Sequence, residues 1–246
     1  MRKFIIALSV LVAIAVNAKA QNNPPVIYTI GAPVAEKKDD GNTKRGIAFG
    51  PELGLNMANM AFKYSASGTT TKTKTTFKPG LAVGGVVDFG FTNNIYLQPG
   101  LFFLMNGCNF SASGSGVYSS PSGSYNLNTI QLPINFLFKL SKPGKNRIFF
   151  GIGPYVAYNI GGTSKSGSSS TTLKIGSDQT KDNVKALDLG AGINAGYQFA
   201  MGLLIRAHYQ MGFANLTPGG NSSNSSTTSA IGLTVGYLFG GKPKKA

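Results

Sequence analysis

Tryptophan is missing from the 246 residues, and cysteine and histidine occur once each. A lone Cys108 cannot close an internal disulfide, so no framework of bridges holds the fold. One His and one Cys on different predicted strands make no metal-ligand set. Acidic groups are scarce, 8 Asp+Glu against 23 Lys+Arg, and only 13% of residues are charged. That composition is unusual for a soluble enzyme. Beyond residue 20 no apolar run approaches the roughly 20 residues that a membrane helix needs. No Gly-x-Ser-x-Gly element occurs either. Gly151-Ile-Gly153 and Gly190-Ala-Gly192 precede no helix pattern, and glycines of this kind serve curvature and close packing rather than phosphate binding.

What is present begins with an export signal. Arg2 and Lys3 give a positive start, Phe4 to Val16 is apolar, and Ala18-Lys19-Ala20 fits a small-x-small cleavage site. Removing residues 1–20 takes away Arg2, Lys3 and Lys19 and leaves 20 basic against 8 acidic residues, a net charge of +12. An exported chain of this charge is expected to meet phosphate-bearing lipids rather than nucleic acid. Residues 21–45 are Asn-, Pro- and charge-rich, too short and too polar for a core of their own, and read as a flexible periplasmic segment.

From residue 46 the hydrophobicity alternates with a period of two, the mark of strands whose side chains point to opposite faces. The clearest run is Ser229–Phe239, with Ile231, Leu233, Val235, Tyr237 and Phe239 on one face and Ala230, Gly232, Thr234 and Gly236 on the other. Seven further runs precede it, at about 46–63, 77–91, 95–110, 125–140, 147–161, 184–199 and 202–215. In the first, the phase slips near Ala58, where Met60 and Phe62 turn up at even positions, and a bulge is expected there. Short links (92–94, 141–146, 200–201) alternate strictly with long Ser-, Thr-, Gly- and Asn-rich ones (64–76, 111–124, 162–183, 216–228). Short periplasmic turns and long outward loops are the pattern of an outer-membrane barrel. An even strand number closes the sheet, so no unpaired edge meets lipid. The predicted fold is therefore all-β, an eight-stranded antiparallel up-and-down transmembrane β-barrel over residues 46–240, with a basic periplasmic tail at 241–246 and both termini periplasmic. Tyr64, Tyr118, Tyr125, Tyr158, Tyr197 and Phe199, near strand ends, are expected in an aromatic girdle.

The order Gly54-Leu55-Asn56, Gln131-Leu132-Pro133, Gly153-Pro154-Tyr155 and Gly236-Tyr237-Leu238-Phe239, each in its own strand, resembles the PorT-like outer-membrane β-barrel domain family. The likeness spans about residues 46–240. It implies an eight-stranded outer-membrane barrel, and some members of that family look like accessories of secretion or gliding machinery. The chain departs from the many barrels that stop at their final aromatic, because Phe239 is followed by Gly-Gly-Lys-Pro-Lys-Lys-Ala.

Polar residues on the small face mark the candidate site. Glu52, Asp88, Lys139, Asp188, Arg206 and His208 all fall there, and charges in a narrow, low-dielectric lumen must pair. Glu52 and Arg206 are expected to pair across the closing strand. His208 could serve a lipid hydrolase, but its parity turns it inward, and no acid or nucleophile stands at a telling spacing. It is read as lumen filling; no enzyme activity, cofactor or metal is expected. A second group, Lys142, Lys145, Arg147, Lys242, Lys244 and Lys245, is read as a basic periplasmic rim facing outer-membrane lipid head groups or an acidic envelope protein. The functional expectation is a structural or interaction barrel. The alternatives are a small passive channel, and a receptor or adhesin presenting Ser/Thr-rich loops.

Overall fold

The computed structural model describes residues 46–66, 69–73, 75–110 and 122–240. The export signal, the 21–45 segment and the tail at 241–246 lie outside the described residues. Eleven strands follow in order: β1 (Ala48–Ala66), β2 (Thr69–Thr73), β3 (Thr75–Gly90), β4 (Ile95–Phe110), β5 (Gly123–Lys139), β6 (Arg147–Ser166), β7 (Ser169–Thr172), β8 (Leu187–Gln198), β9 (Leu203–Gly212), β10 (Asn224–Tyr237) and β11 (Phe239–Gly240). Eight of them form an antiparallel ring, β1-β3-β4-β5-β6-β8-β9-β10, closed where β10 pairs back onto β1 from Glu52↔Gly236 to Tyr64↔Asn224. The closure leaves the ring no edge, as a sheet in lipid requires. The small strands extend this ring: β2 pairs the loop end of β1, β7 the loop end of β6, and β11 the start of β1. Among the described residues no helix is long and apolar enough to cross a membrane.

Alternation dictates which face is which. Phe49, Leu53, Leu55, Phe136, Ile152, Ile193 and Leu233 all point away from the lumen, and Leu55 keeps 62% of its surface. So much exposed apolar surface, continuous around the ring, suits lipid and not water. Their even or odd neighbours, Glu52, Asn56, Asn159, Asn194 and Thr234 among them, are buried inside. Burial is therefore inverted relative to a soluble sandwich.

The short connections lie at one end. Lys142-Pro143-Gly144-Lys145 closes with the Lys145 amide donating to the Lys142 carbonyl at 3.3 Å, and Gly144 has φ +80°. Proline before a glycine with positive φ is the pattern of a type II turn. At the β8–β9 turn Gly202 has φ +106°, and its carbonyl accepts from the Leu238 amide at 2.9 Å.

Two expectations are corrected here. No bulge occurs at Ala58: β1 runs in unbroken register against β10 through Tyr64. Even positions stay inward from Ala48 to Phe62, and Met60 and Phe62 are apolar because the loop end of the lumen is itself apolar, with Met60 only 1% exposed. The register shifts lie instead between Phe77 and Ala82 on β3 and between Asn128 and Thr129 on β5. Tyr125 is likewise not in a lipid-facing girdle. Its odd position on β5 turns it inward, where it packs against Phe62 and the apolar cluster at the loop end. Tyr118 lies outside the described residues.

Candidate functional site

The lumen is filled in layers, each built by side chains that parity sends inward. Nearest the short turns, Arg147 donates to the Tyr96 hydroxyl at 2.7 Å and to Gln198 Oε1 at 3.3 Å. Lys139 makes an ion pair with Asp88, donates to Gln198 Oε1 at 2.9 Å and lies 4.5 Å from the centroid of the Tyr96 ring. Gln98 links this group to the next, since its amide donates to Asp88 while its carbonyl accepts from Arg206. Arg206 then donates to Glu52 Oε1 at 3.0 Å, and Glu52 Oε2 accepts from the Thr234 hydroxyl at 2.9 Å. The Arg206 guanidinium rests 5.4 Å from the centroid of the Phe149 ring. All eight strands of the ring thus meet in one chain of hydrogen bonds, β6 through Arg147 and β8 through Gln198. Apolar Leu137, Phe149 and Leu204 pack around it.

Above this charged layer, Gln131 donates to Gln210 Oε1 at 3.1 Å, bridging β5 and β9 across the lumen. A neutral belt follows: Asn56 to Asn106 at 2.7 Å, Asn106 to Thr129 at 3.2 Å, and Thr129 to Asn159 at 2.9 Å. A cavity of about 40 Å³ lies beside Glu52, Arg206, His208 and Gln210, room for about three waters. His208 occupies its wall. The side chain fits only because Gly232 faces it, where an added Cβ would stand 2.4 Å from His208 Cε1.

The long-loop end is closed by an apolar cap. Met60, Cys108 and Leu127 from the barrel wall meet Leu173, Val184 and Leu216 from two of the long connections. These connections are pinned by backbone bonds, Leu173 N to Gly162 O at 2.9 Å, Lys185 N to Leu216 O at 2.8 Å and Leu216 N to Ser226 O at 2.8 Å. At the tip of the third long connection, the backbone amide and hydroxyl of Thr180 both donate to Asp178 Oδ1, and these bonds hold the Asp178 carboxyl below its ordinary range.

The site expected from sequence is therefore brought together in part. Glu52, Arg206, Asp88 and Lys139 share one network, and His208 borders it. Asp188 is inside but apart, bonded to the Thr228 hydroxyl at 2.7 Å near the loop end. Arg147 does not belong to an exposed rim. It is 6% exposed, because its odd position on β6 faces the lumen while Ile148 and Phe150 face out. Lys142 and Lys145 are exposed at the short turn; Lys242, Lys244 and Lys245 lie outside the described residues. Exposed charge among the described residues is not confined to the short-turn end. At the loop end Lys72, Lys165, Lys174, Lys181 and Asp178 are exposed and Lys63, Lys185 and Asp182 half-buried, and Lys63 and Lys185 lay within predicted strands rather than loops. Neutral residues that the small-face pattern contains but the expected site did not include complete the network: Gln98, Gln131, Gln210, Thr234 and the Asn belt. Each sits on the small face of its strand, so parity was the available signal.

Comparison with known proteins adds a family. Residues 19–217 match the model described as outer membrane protein beta-barrel domain. Among solved structures the chain is similar to OprG from Pseudomonas aeruginosa, at 8% identity, 81% of this chain, 98% of that one and a TM-score of 0.46. It is also similar to the attachment invasion locus protein Ail of Yersinia pestis, at 12%, 78%, 98% and 0.37, and to the outer membrane protease OmpT of Escherichia coli, at 9%, 80%, 98% and 0.42. No curated protein sequence matches it.

Proposed function

The chain belongs to the outer membrane protein β-barrel domain family, and from that premise we propose that it is a sealed, non-enzymatic barrel that works by contact with other envelope components. As a member it is an integral protein of the bacterial outer membrane. The observation that carries the proposal is the filled lumen. Paired charges occupy the turn-side half, Leu173, Val184 and Leu216 cover the loop end, and the cavities between them hold a few waters only. An eight-stranded ring has an interior just wide enough for side chains, and here side chains take it up. The non-enzymatic reading is supported by the wall around His208, where Glu52, Arg206, Gln210 and Thr234 supply no Ser or Cys nucleophile.

In this reading the long loops face outward, both termini face the periplasm, and the chain is an accessory of a secretion or motility assembly, a role that its PorT-like motifs support. Lys142 and Lys145, with the basic tail, then offer a periplasmic contact for an acidic partner or for lipid phosphate. A receptor or adhesin role is the second reading. Thr69–Thr73 on β2 and Ser169–Thr172 on β7, all exposed polar ladders beyond the ring, favour it. Photo-crosslinkers placed at Lys145 and at Thr71 in intact cells separate the two. A reproducible protein adduct at Lys145 supports the accessory role, and one confined to Thr71 supports the receptor. Lipid adducts alone at both positions contradict both the accessory and the receptor role.

A further inference from the structure

The lumen carries three carboxylates and three permanent or lysine cations, but the geometry does not pair them one to one. Glu52 has Arg206, and Asp88 has Lys139. Arg147 sits at the short turns, satisfied by neutral Tyr96 and Gln198. Asp188 sits near the other end, second residue of β8, and among the described residues no cationic side chain lies within ion-pair distance of it. It is only 5% exposed, and while Oδ2 accepts from Thr228, Oδ1 has no hydrogen-bond partner among the described residues. Its donors, the Thr228 and Tyr155 hydroxyls and the Leu189 amide, are all neutral, and a buried carboxylate with no counter-charge is costly.

The surroundings are shaped to hold it. An added Cβ at Gly212 would stand 2.9 and 3.1 Å from the two carboxylate oxygens, so only glycine lets the group lie against β9. At Gly190 a Cβ would meet the Tyr155 ring at 2.4 Å, and that contact sets Tyr155 beside the carboxylate. A cavity of about 10 Å³ borders Asp188, Tyr155, Thr228, Ser229, Gln131 and Gln210, about one water wide. All six bear side-chain oxygen. The apolar residues Leu173, Val184 and Leu216 cap this end of the lumen.

We propose that this cavity is a binding site for one small monovalent cation of sodium size, ligated by Asp188 with neutral oxygens of Tyr155, Thr228 and Gln131. A single carboxylate balances a single positive charge. A divalent ion is disfavoured, because calcium and magnesium draw on more anionic oxygens or retained waters than this volume admits. The site does not depend on the contact function proposed above.

The test is thermal unfolding of the full-length protein in lipid nanodiscs, with sodium chloride exchanged for N-methylglucamine chloride at fixed ionic strength. Wild type should melt higher in sodium, rising with the logarithm of its concentration once the site is filled. Asp188→Asn should abolish that dependence. Thr228→Val keeps the charge and removes a ligand oxygen; it should move the half-effect concentration several-fold upward, which keeps the site testable even if Asp188→Asn fails to fold. Equal melting of wild type in the two salts overturns the site, as does an unchanged sodium response in Asp188→Asn or an unmoved half-effect in Thr228→Val. A wild-type dependence on pH without one on sodium also overturns it, since a proton alone would then neutralise Asp188.

Discussion

Replacing Arg206 with alanine should be among the most costly single changes in the barrel. The guanidinium is 5% exposed as a residue and holds Glu52 at 3.0 Å, the Gln98 carbonyl, and Asn194 at 3.5 Å. Its removal leaves the Glu52 carboxylate, 2% exposed, with the Thr234 hydroxyl as its remaining side-chain hydrogen-bond donor among the described residues. Breaking a buried pair by deleting one partner costs about 3–5 kcal/mol, because the survivor keeps its desolvation penalty. Glu52→Gln should cost less, since the amide carbonyl still accepts from Arg206. The double variant Arg206→Ala/Glu52→Ala should lose less than the sum of its singles, with a coupling of about 0.5–3 kcal/mol. Because the chain has no tryptophan, urea unfolding is best followed by far-ultraviolet circular dichroism, alongside the mobility of unheated samples on gels. Costs below about 1 kcal/mol for both single alanine variants, with no coupling, would refute the reasoning. The two side chains would then be hydrated, as in a surface pair.

Three more outcomes follow from other layers. Leu233→Arg, on the outward face of β10 with Leu233 55% exposed, should destabilise the barrel in lipid by about 2–4 kcal/mol, measured by urea unfolding in vesicles. Gly54→Ala would bring a Cβ to 2.0 Å from the Leu233 carbonyl at the β1–β10 closure; a cost of about 1–3 kcal/mol and a larger fraction of unfolded chain on unheated gels are expected. Leu216→Ala removes a fully buried side chain from the cap, so Cys108, 0% exposed beneath it, should react with a maleimide several-fold faster than in wild type.

The ring was legible because its signal is local and repeated. Most outward strand positions carry a large apolar side chain, and the lengths of the links alternate. Glu52 and Arg206 could be paired in advance because both lie inward with only β10 between their strands. Arg147 resembles part of a rim by its nearness in sequence to Lys142 and Lys145, but its odd position on β6 sends it inside. The cap was not legible at all. Leu173 and Leu216 lie in polar connections and Val184 at the first residue of a predicted strand, and only the folding of these segments back over Met60 and Cys108 makes them a core. The same is true of the apolar Met60 and Phe62, which imitate a phase slip because the lumen itself changes character along its axis.

The sealed lumen is the claim on which the rest depends, and single-channel recording in planar bilayers tests it most directly. Wild-type protein inserted from detergent should raise no stable conductance step above the bilayer baseline, since the ion-paired network and the apolar cap close the lumen in series. Reproducible open steps from the wild type, persisting at constant voltage, would contradict the account.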